Sequence, residues 1–372
     1  MEQIPFVDLK AQYQSIKEEI DAAISNVLDN SSFIGGEGLN RFSLSLESLL
    51  GINHALPVAN GTDAIYVALK QLGIGPGDEV ITSAHSWIST SETISQTGAH
   101  PIFVDTNEFY CLDETLIEDR INSKTKAIIP VHLYGHPCNM TKICETARKH
   151  NLAIVEDCAQ AILTKWSGKN VGTFGNAGTI SFFPGKNLGA YGDAGAIVTN
   201  DKSLFKNMKM YSNHGSLKKH DHIIEGINSR MDTLQAEILN VKIKYIDKWI
   251  NLRRSAAEMY RKHLEGIEEI ELPEVADEAY HSYHLFVIKT DNRDHLSSYL
   301  KEKNISTGIH YPKALPMLEC YKYLDLNLEE FPNACRNSEA ILSLPIFPEI
   351  TEEQIIYISR NIRNYFLDSK VL

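Results

Sequence analysis

Lys186 stands in the run SFFPGKNLGAYGDAGAI, residues 181–197, among mostly apolar residues and glycines. Glycine-rich runs build tight turns and close backbone approaches, and neither needs an ammonium group. Three readings are open for it: a solvated charge on a loop, a phosphate ligand or a nucleophile. Phe182, Phe183 and Pro184 come before it, and Leu188, Gly189 and Ala190 come after. An amine among such neighbours is partly desolvated, which lowers its pKa and frees the neutral form. Neutral lysine is the nucleophile that forms Schiff bases with carbonyl compounds.

Two other stretches bear on the same chemistry. IVEDCAQ, residues 154–160, closes a strand-like run with Glu156 and Asp157. Ligands of open α/β sheets collect beyond the carboxyl ends of strands, where a carboxylate can pair with a protonated ring nitrogen. A helix-capping Asp is the plainer alternative. ANGTDAIYVALK, residues 59–70, reads as a strand end, a polar turn and a helix. Gly61 and Thr62 would then offer unpaired N–H groups at a helix N-terminus, where the dipole favours a phosphate. A plain N-cap by Thr62 or Asp63 is the competing reading. An anion cradle, an acid for a ring nitrogen and a Schiff-base lysine together form the set that pyridoxal phosphate requires.

These residues need a frame. Tyr13, Ile16, Ile20, Ile24 and Val27 recur at helical spacing and predict an amphipathic helix over 11–29, ended by SSFIGGEG. From residue 54, strands alternate with helices of about a dozen residues. The strand-like runs are HALPVAN, VITSA, PIFVD, KAIIPVHLYG, AIVEDC, TISFFP and GAIVTN. This predicts an α/β fold with a mostly parallel sheet between helices. After residue 230 a long helical stretch, TLQAEILNVKIKYIDKWINLRRSAAEMYRKHL, leads to a smaller segment. There SYHLFVIKT and STGIHYP read as strands, RDHLSSYLKEKN as a helix, and a last helix starts near residue 351. The expected division is a large domain over 1–245 and a small C-terminal α/β domain over 246–372.

With 372 residues, 43% of them hydrophobic, the chain is long enough for two domains and a large core. Its net charge of −12 and the lack of a Lys/Arg-rich tract argue against nucleic acid or an anionic membrane as partner. The six cysteines form no CxxC pair and read as thiols of a reducing compartment, with no metal site. MEQIPFVDLKAQYQ lacks the basic-then-apolar pattern of a signal peptide, and no apolar run is long enough to span a bilayer. The expectation is a cytoplasmic protein. GIGPG at 73–77 has the wrong glycine spacing, and the wrong flanking elements, for a dinucleotide fingerprint.

The motifs in their order resemble the DegT/DnrJ/StrS sugar-nucleotide aminotransferases, within the fold-type I (aspartate aminotransferase-like) pyridoxal-phosphate enzymes. The resemblance runs from IPFVDLKAQY and FIGGEG through ANGTDA, IIPVHLYGHPCNM, IVEDCAQA and SFFPGKNLGAYGDAGAIVTND to GINSRMDTLQAEIL, IHYP and LSLPIFPEITEEQ. It implies a three-layer PLP-dependent transferase fold. Lys186 would form the Schiff base and move protons, Asp157 would hold the ring nitrogen protonated, and Gln160 would bond the ring hydroxyl. Gly61, Thr62 and Ser181 would take the phosphate, with Asn228 reaching over from a second subunit of a homodimer. Trp87 would stack on the ring. Gly35, Gly36, His214, His310 and Tyr311 would meet the sugar nucleotide, and Arg230 would serve an ion pair.

The implied reaction takes an amino group from L-glutamate to a ketone on a nucleotide-linked sugar. PGKNLGAYGDAG is similar to the subgroup acting on dTDP-linked 3-keto-6-deoxyhexoses, with 4-keto or UDP-linked sugars as the alternative. Two rival classes remain. A cofactor-binding regulator or dehydratase is one, although dehydratase relatives replace the lysine. A nucleotide-binding oxidoreductase is the other, and the missing glycine fingerprint counts against it.

Overall fold

The computed structural model describes residues 3–369. Seven strands make the main sheet: β1 (His54–Val58), β2 (Glu79–Ser83), β3 (His100–Val104), β4 (Thr125–Ile129), β5 (Ala153–Asp157), β6 (Ala177–Ser181) and β7 (Gly195–Thr199). Their order across the sheet is β1-β7-β6-β5-β4-β2-β3. Only β7 runs against the rest, paired antiparallel to both β1 and β6. The other neighbours pair in parallel. The expected mostly parallel sheet is therefore present, and both faces are covered, as parallel sheets require.

Helix α1 (Leu9–Ser15) and helix α2 (Lys17–Asp29) replace the single helix expected over 11–29. The break falls at Ile16, whose φ of −133° and ψ of 21° leave the helical region. Its apolar side chain is buried all the same, so helical periodicity continues across a backbone break that it cannot report. Helices α3 (Glu37–Leu50), α4 (Gly61–Gln71), α5 (Ser89–Thr97), α6 (Met140–His150) and α7 (Lys202–Tyr211) follow. Strand alternation sends Val80, Ala127, Val155 and Ile197 to one face, where α4 and α7 cover them. Ile81, Ile128 and Ile154 go to the other face, under α6. Further along that face, Ala55, Ile180 and Val198 lie beneath α2, α3 and α8 (Thr233–Lys242).

The long helical stretch is α8, a single 3-10 turn over Ile243–Tyr245 and α9 (Ile246–Leu264). Along α9 the core changes. Trp249 and Ile250 pack with the large sheet's cluster, whereas Ala256, Tyr260 and Leu264 pack with residues of the C-terminal part. Ile4 joins this second cluster, bridging to Ile305. The C-terminal part holds β8 (Phe286–Lys289), α10 (Arg293–Glu302), α11 (Pro332–Ala340), β9 (Ile341–Leu344) and α12 (Glu352–Ser369). β8 pairs antiparallel with β9. STGIHYP is not a strand: one bridge, Gly308 to Ser343, ties it to β9, and the chain then turns toward the large sheet.

The end of β5 shows how tightly the frame is held. Ile154 and Glu156 face one side of the sheet, Val155 and Asp157 the other. Glu156 is fully buried. Its Oε1 accepts from the Phe174 and Gly175 N–H groups at 2.7 and 2.8 Å, and its Oε2 accepts from Gly172 N–H at 2.7 Å. His132 Nδ1 accepts from Cys138 N–H at 3.0 Å, so Nε2 carries the proton toward Glu156 Oε2 at 3.2 Å. Truncating one member of such a network strands the others without partners. Glu156→Ala is therefore expected to destabilise the fold by about 3–5 kcal/mol. A urea unfolding midpoint equal to wild type would show that the network contributes nothing.

Candidate active site

The C-terminal ends of β5 and β6 lie side by side, with Asp157 in register with Thr179. Asp157 and Ser181 therefore point to the same face of the sheet. Asp157 is buried, and α5 sits over it: Oδ2 accepts from Thr90 Oγ1 at 2.7 Å, and Thr90 in turn pairs with Ser86 Oγ at 2.9 Å. Oδ1 accepts from Ala159 N–H at 3.1 Å. A carboxylate has about four acceptor positions, so Asp157 keeps capacity for a donor in the cleft.

Lys186 projects from the turn between β6 and β7. That turn is closed by Lys186 N–H to Phe183 O, Ala190 N–H to Phe182 O and Phe182 N–H to Ala194 O, each 2.8 Å. Burial lowers its pKa from 10.5 to about 8, and the Asp157 charge opposes the shift without cancelling it. The lysine is half-buried, and of its three readings the solvated surface charge fits that burial least. Asn187, the next residue, reaches the C-terminal part: Nδ2 donates to Ser282 O, and Oδ1 accepts from His284 Nδ1, both at 3.2 Å. Burial and the Lys186 charge hold His284 well below its ordinary pKa.

The N-terminus of α4 supplies the cradle. Its cap is Asn60, whose Oδ1 accepts from Asp63 N–H at 2.7 Å, and not Thr62 or Asp63. Gly61 and Thr62 are thus the first two helical residues, and their N–H groups have no intrahelical acceptor. A Cβ on Gly61 would fall 2.7 Å from the Ser181 Cβ. The cradle therefore needs a glycine there. Thr62 Oγ1 meets Ser89 Oγ at 2.7 Å, which ties the cradle to α5.

Gln160 and Tyr311 close another wall. Gln160 Oε1 accepts from Tyr134 N–H at 2.6 Å, and its Nε2 donates to Tyr311 Oη at 3.1 Å. Trp87 is exposed and sits with its ring 5.4 Å from that of Tyr311. His310 is held by Ser343 Oγ at 2.9 Å from Nδ1, and its carbonyl accepts from the Tyr134 hydroxyl. Burial, reinforced by the charge on Lys186, lowers its pKa to about 4, so its ring is neutral at pH 7.

Gly35, His214 and Asn228 are tied to other elements. Gly35 O accepts from Thr233 Oγ1 at 2.8 Å, at the start of α8. Gly35 and Gly36 have φ of 78° and 89°, so this loop needs glycine at both positions. His214 N–H donates to Ile227 O, and its carbonyl accepts from His222 Nδ1. Asn228 is exposed and accepts from Arg230 Nε at 3.0 Å. Arg230 also reaches Asn213 Oδ1 at 3.4 Å, so it bonds two amides and not the expected carboxylate.

Sequence reasoning passed over Thr90, Ser89, Asn187 and His284. A signal existed for the first two. Helix α5 buries Ser89, Thr90, Ser91 and Thr93, a polar face where a core helix ordinarily places apolar side chains.

A buried acid at a strand end, a glycine-opened helix N-terminus and a lysine in the turn after the neighbouring strand are the groups that a pyridoxal-phosphate-dependent transferase requires. The residues fit that cofactor: the free N–H groups at Gly61 and Thr62 lie against Ser181, and Asp157 retains acceptor capacity. Residues 14–363 match the DegT/DnrJ/EryC1/StrS aminotransferase family, and the chain belongs to it. The protein is an aminotransferase whose cofactor is pyridoxal 5′-phosphate.

A relative named pleiotropic regulatory protein, from Geobacillus stearothermophilus, is 40% identical over 98% of both chains. UDP-N-acetyl-3-dehydro-alpha-D-glucosamine 3-aminotransferase from Acidithiobacillus ferrooxidans is 41% identical over 97% of each chain. The dTDP-3-amino-3,4,6-trideoxy-alpha-D-glucose transaminase of Streptomyces venezuelae is 38% identical over 97% of this chain and 96% of its own. Among solved structures, S. venezuelae DesV in complex with a ketimine intermediate superposes with a TM-score of 0.96 at 38% identity, covering 98% and 99% of the two chains.

Two measurements check the site in cofactor-free protein. Labelling of Lys186 by trinitrobenzenesulfonate, read by peptide mass spectrometry, is expected to rise through a midpoint of about 8. The Asp157 carboxylate favours the ammonium form, so Asp157→Asn moves the midpoint lower still. A midpoint at the ordinary lysine value of 10.5 would contradict the desolvation argument. Separately, Gly61→Ala is expected to weaken pyridoxal phosphate binding at least about tenfold, or about 1.4 kcal/mol. Unchanged affinity in an absorbance titration would place the phosphate elsewhere.

Proposed function

We propose that this aminotransferase moves an amino group from L-glutamate to the keto carbon of a nucleotide-linked deoxy sugar, and that its acceptor is a dTDP-linked 3-keto-6-deoxyhexose. The observation that carries the reading is the placement of buried Asp157 at the end of β5 and of Lys186 in the turn after the adjacent β6, with the start of α4 packed against Ser181. Amination at C-3 is supported by the names of the two transaminase relatives, and the dTDP linkage by one of them. The stretch PGKNLGAYGDAG points the same way.

When bound, pyridoxal phosphate supplies a carbonyl that takes up the amino group and a ring that accepts electrons. The chain supplies the rest. Asp157, oriented by Thr90, would keep a proton on the ring nitrogen, and Gln160 would bond the ring hydroxyl. The N–H groups of Gly61 and Thr62, with Ser181 Oγ, would hold the phosphate, and Trp87 would cover a ring face. Lys186 Nζ, with a pKa near working pH, would take the α-proton from glutamate and return one to the sugar carbon. Neutral His310 and the Tyr311 hydroxyl line the same wall and would meet sugar hydroxyls, whereas Gly35 and His214 would meet the nucleotide side.

Asn228 would complete the phosphate site of a second copy. Its exposure supports this, as do the exposed apolar side chains of Phe33, Ile34, Leu217 and Ile223. The protein would then be a homodimer with shared active sites. A cofactor-binding regulator without turnover is the second reading, favoured by the name of the Geobacillus relative.

The visible spectrum of loaded protein tests these readings. L-Glutamate is expected to shift the cofactor band in wild type and to leave it unmoved in Lys186→Ala. A dTDP-linked 3-keto sugar should then restore the band faster than 4-keto or UDP-linked sugars. A wild-type band that ignores glutamate and other amino donors would favour the regulator. Faster restoration by a UDP-linked or 4-keto sugar would overturn the acceptor assignment.

A further inference from the structure

Lys242, the last residue of α8, is fully buried. Its Nζ donates to Gly189 O at 2.7 Å and lies 4.2 Å from the centre of the Tyr191 ring. Taking an ammonium out of water costs several kcal/mol, and a methionine of similar volume would avoid that cost. Burial lowers its pKa to about 8, with Glu349 opposing the shift. One hydrogen bond to a neutral carbonyl does not offset such a penalty by itself. The partner matters more: Gly189 lies three residues past Lys186, in the same turn.

No side chain fits at Gly189, because a Cβ there would meet Pro184 O at 2.2 Å. Its carbonyl sits in packed protein and needs a donor. Gln235 stands seven residues before Lys242, on the same face of α8. Its Oε1 accepts from Tyr191 N–H at 2.8 Å, and its Nε2 donates to Tyr191 O at 3.4 Å. Helix α8 therefore grips the exit of the lysine turn twice, at Gly189 and at Tyr191. The same helix holds the glycine loop, since Thr233 N–H donates to Phe33 O at 2.9 Å and Asn240 Nδ2 donates to Gly38 O at 2.9 Å.

We propose that Lys242 and Gln235 are positioning residues: through Gly189 and Tyr191 they fix the lysine turn and thereby the placement of the Lys186 amine. The inference rests on Lys186 being the reactive amine. Helix α8 acts as a splint between the turn that bears the reactive group and the chain from Phe33 into the first turn of α3.

The experiment uses Lys242→Met and Gln235→Met. In cofactor-free protein, amide hydrogen exchange over residues 183–191 is expected to rise at least about tenfold in each variant, with the rest of the chain within about twofold of wild type. In loaded enzyme, the glutamate-driven kcat, counted per folded site titrated by its cofactor absorbance, should fall at least about tenfold with KM changed by less than about twofold; counting per loaded site removes the fall in kcat that loss of folded protein alone would cause. Local exchange equal to wild type would overturn the proposal. Acceleration across the whole chain would do so too, because the buried cation would then serve the fold at large. If Lys242→Met does not fold, Gln235→Met alone decides in the same terms. Glutamate turnover that survives Lys186→Ala would defeat the functional reading while leaving the exchange result intact, so the two failures are separable.

Discussion

Two consecutive carboxylates at the end of β5 are forced by strand geometry onto opposite faces of the sheet, and the site depends on that division. Glu156 meets three backbone N–H groups and a histidine inside the protein. Asp157 meets one hydroxyl and one N–H, and is left facing the cleft. The first locks the loop over 172–175 and the chain at His132 to the strand. His132 N–H donates to the carbonyl of Asp157 itself, at 3.1 Å. Alternation gives the frame its own carboxylate and leaves the neighbouring one with acceptor capacity toward the cleft. Shifting the strand by one residue would exchange the two roles and leave three backbone donors buried without acceptors.

The electrostatics around Lys186 obey a similar economy. Burial alone would drive the amine further from its ordinary pKa, and Asp157 pulls it part of the way back. A second cation nearby would push it down again. His310 and His284 flank the amine, and burial together with the Lys186 charge keeps both of them neutral. The titration range of the lysine is thus set by burial, which lowers it, and by one anion, which raises it. That places it where an amine can both take and give a proton near neutral pH.

Much of this was legible in the sequence because it rests on local patterns. The seven sheet strands are short apolar runs between turn signals, and the lysine turn shows itself through its glycines. IHYP was recognisable by resemblance, yet the stretch read as a strand is not one, since Gly308 through Tyr311 bends away from β9 to reach Tyr134 and Gln160. Those partners lie far away in sequence, and no period within seven residues encodes them. The break at Ile16 was invisible for a related reason, because burial preserves the apolar period across a non-helical residue. Thr90 and Asn187 escaped notice because hydroxyls and amides gain meaning only from what they touch. Asn60 was missed as the cap of α4 because four polar or small residues compete at that turn, and only the backbone decides among them.

The candidate phosphate cradle and the candidate amine share one ribbon. Ser181 closes β6, Lys186 stands in the turn, and Gly195 opens β7 on the way back. This ribbon lies hard against the start of α4: a Cβ on Gly195 would meet the Asn60 carbonyl carbon at 2.4 Å, just as one on Gly61 would strike Ser181. The reversed strand β7 is what makes this possible. The connection over residues 182–194 leaves the end of β6 and returns to it, because the antiparallel pairing sets Gly195 opposite Ser181. The segment that bears Lys186 is thereby tied at both of its ends to the start of α4. The one antiparallel strand in an otherwise parallel sheet thus bears on the candidate site through its first residue, Gly195.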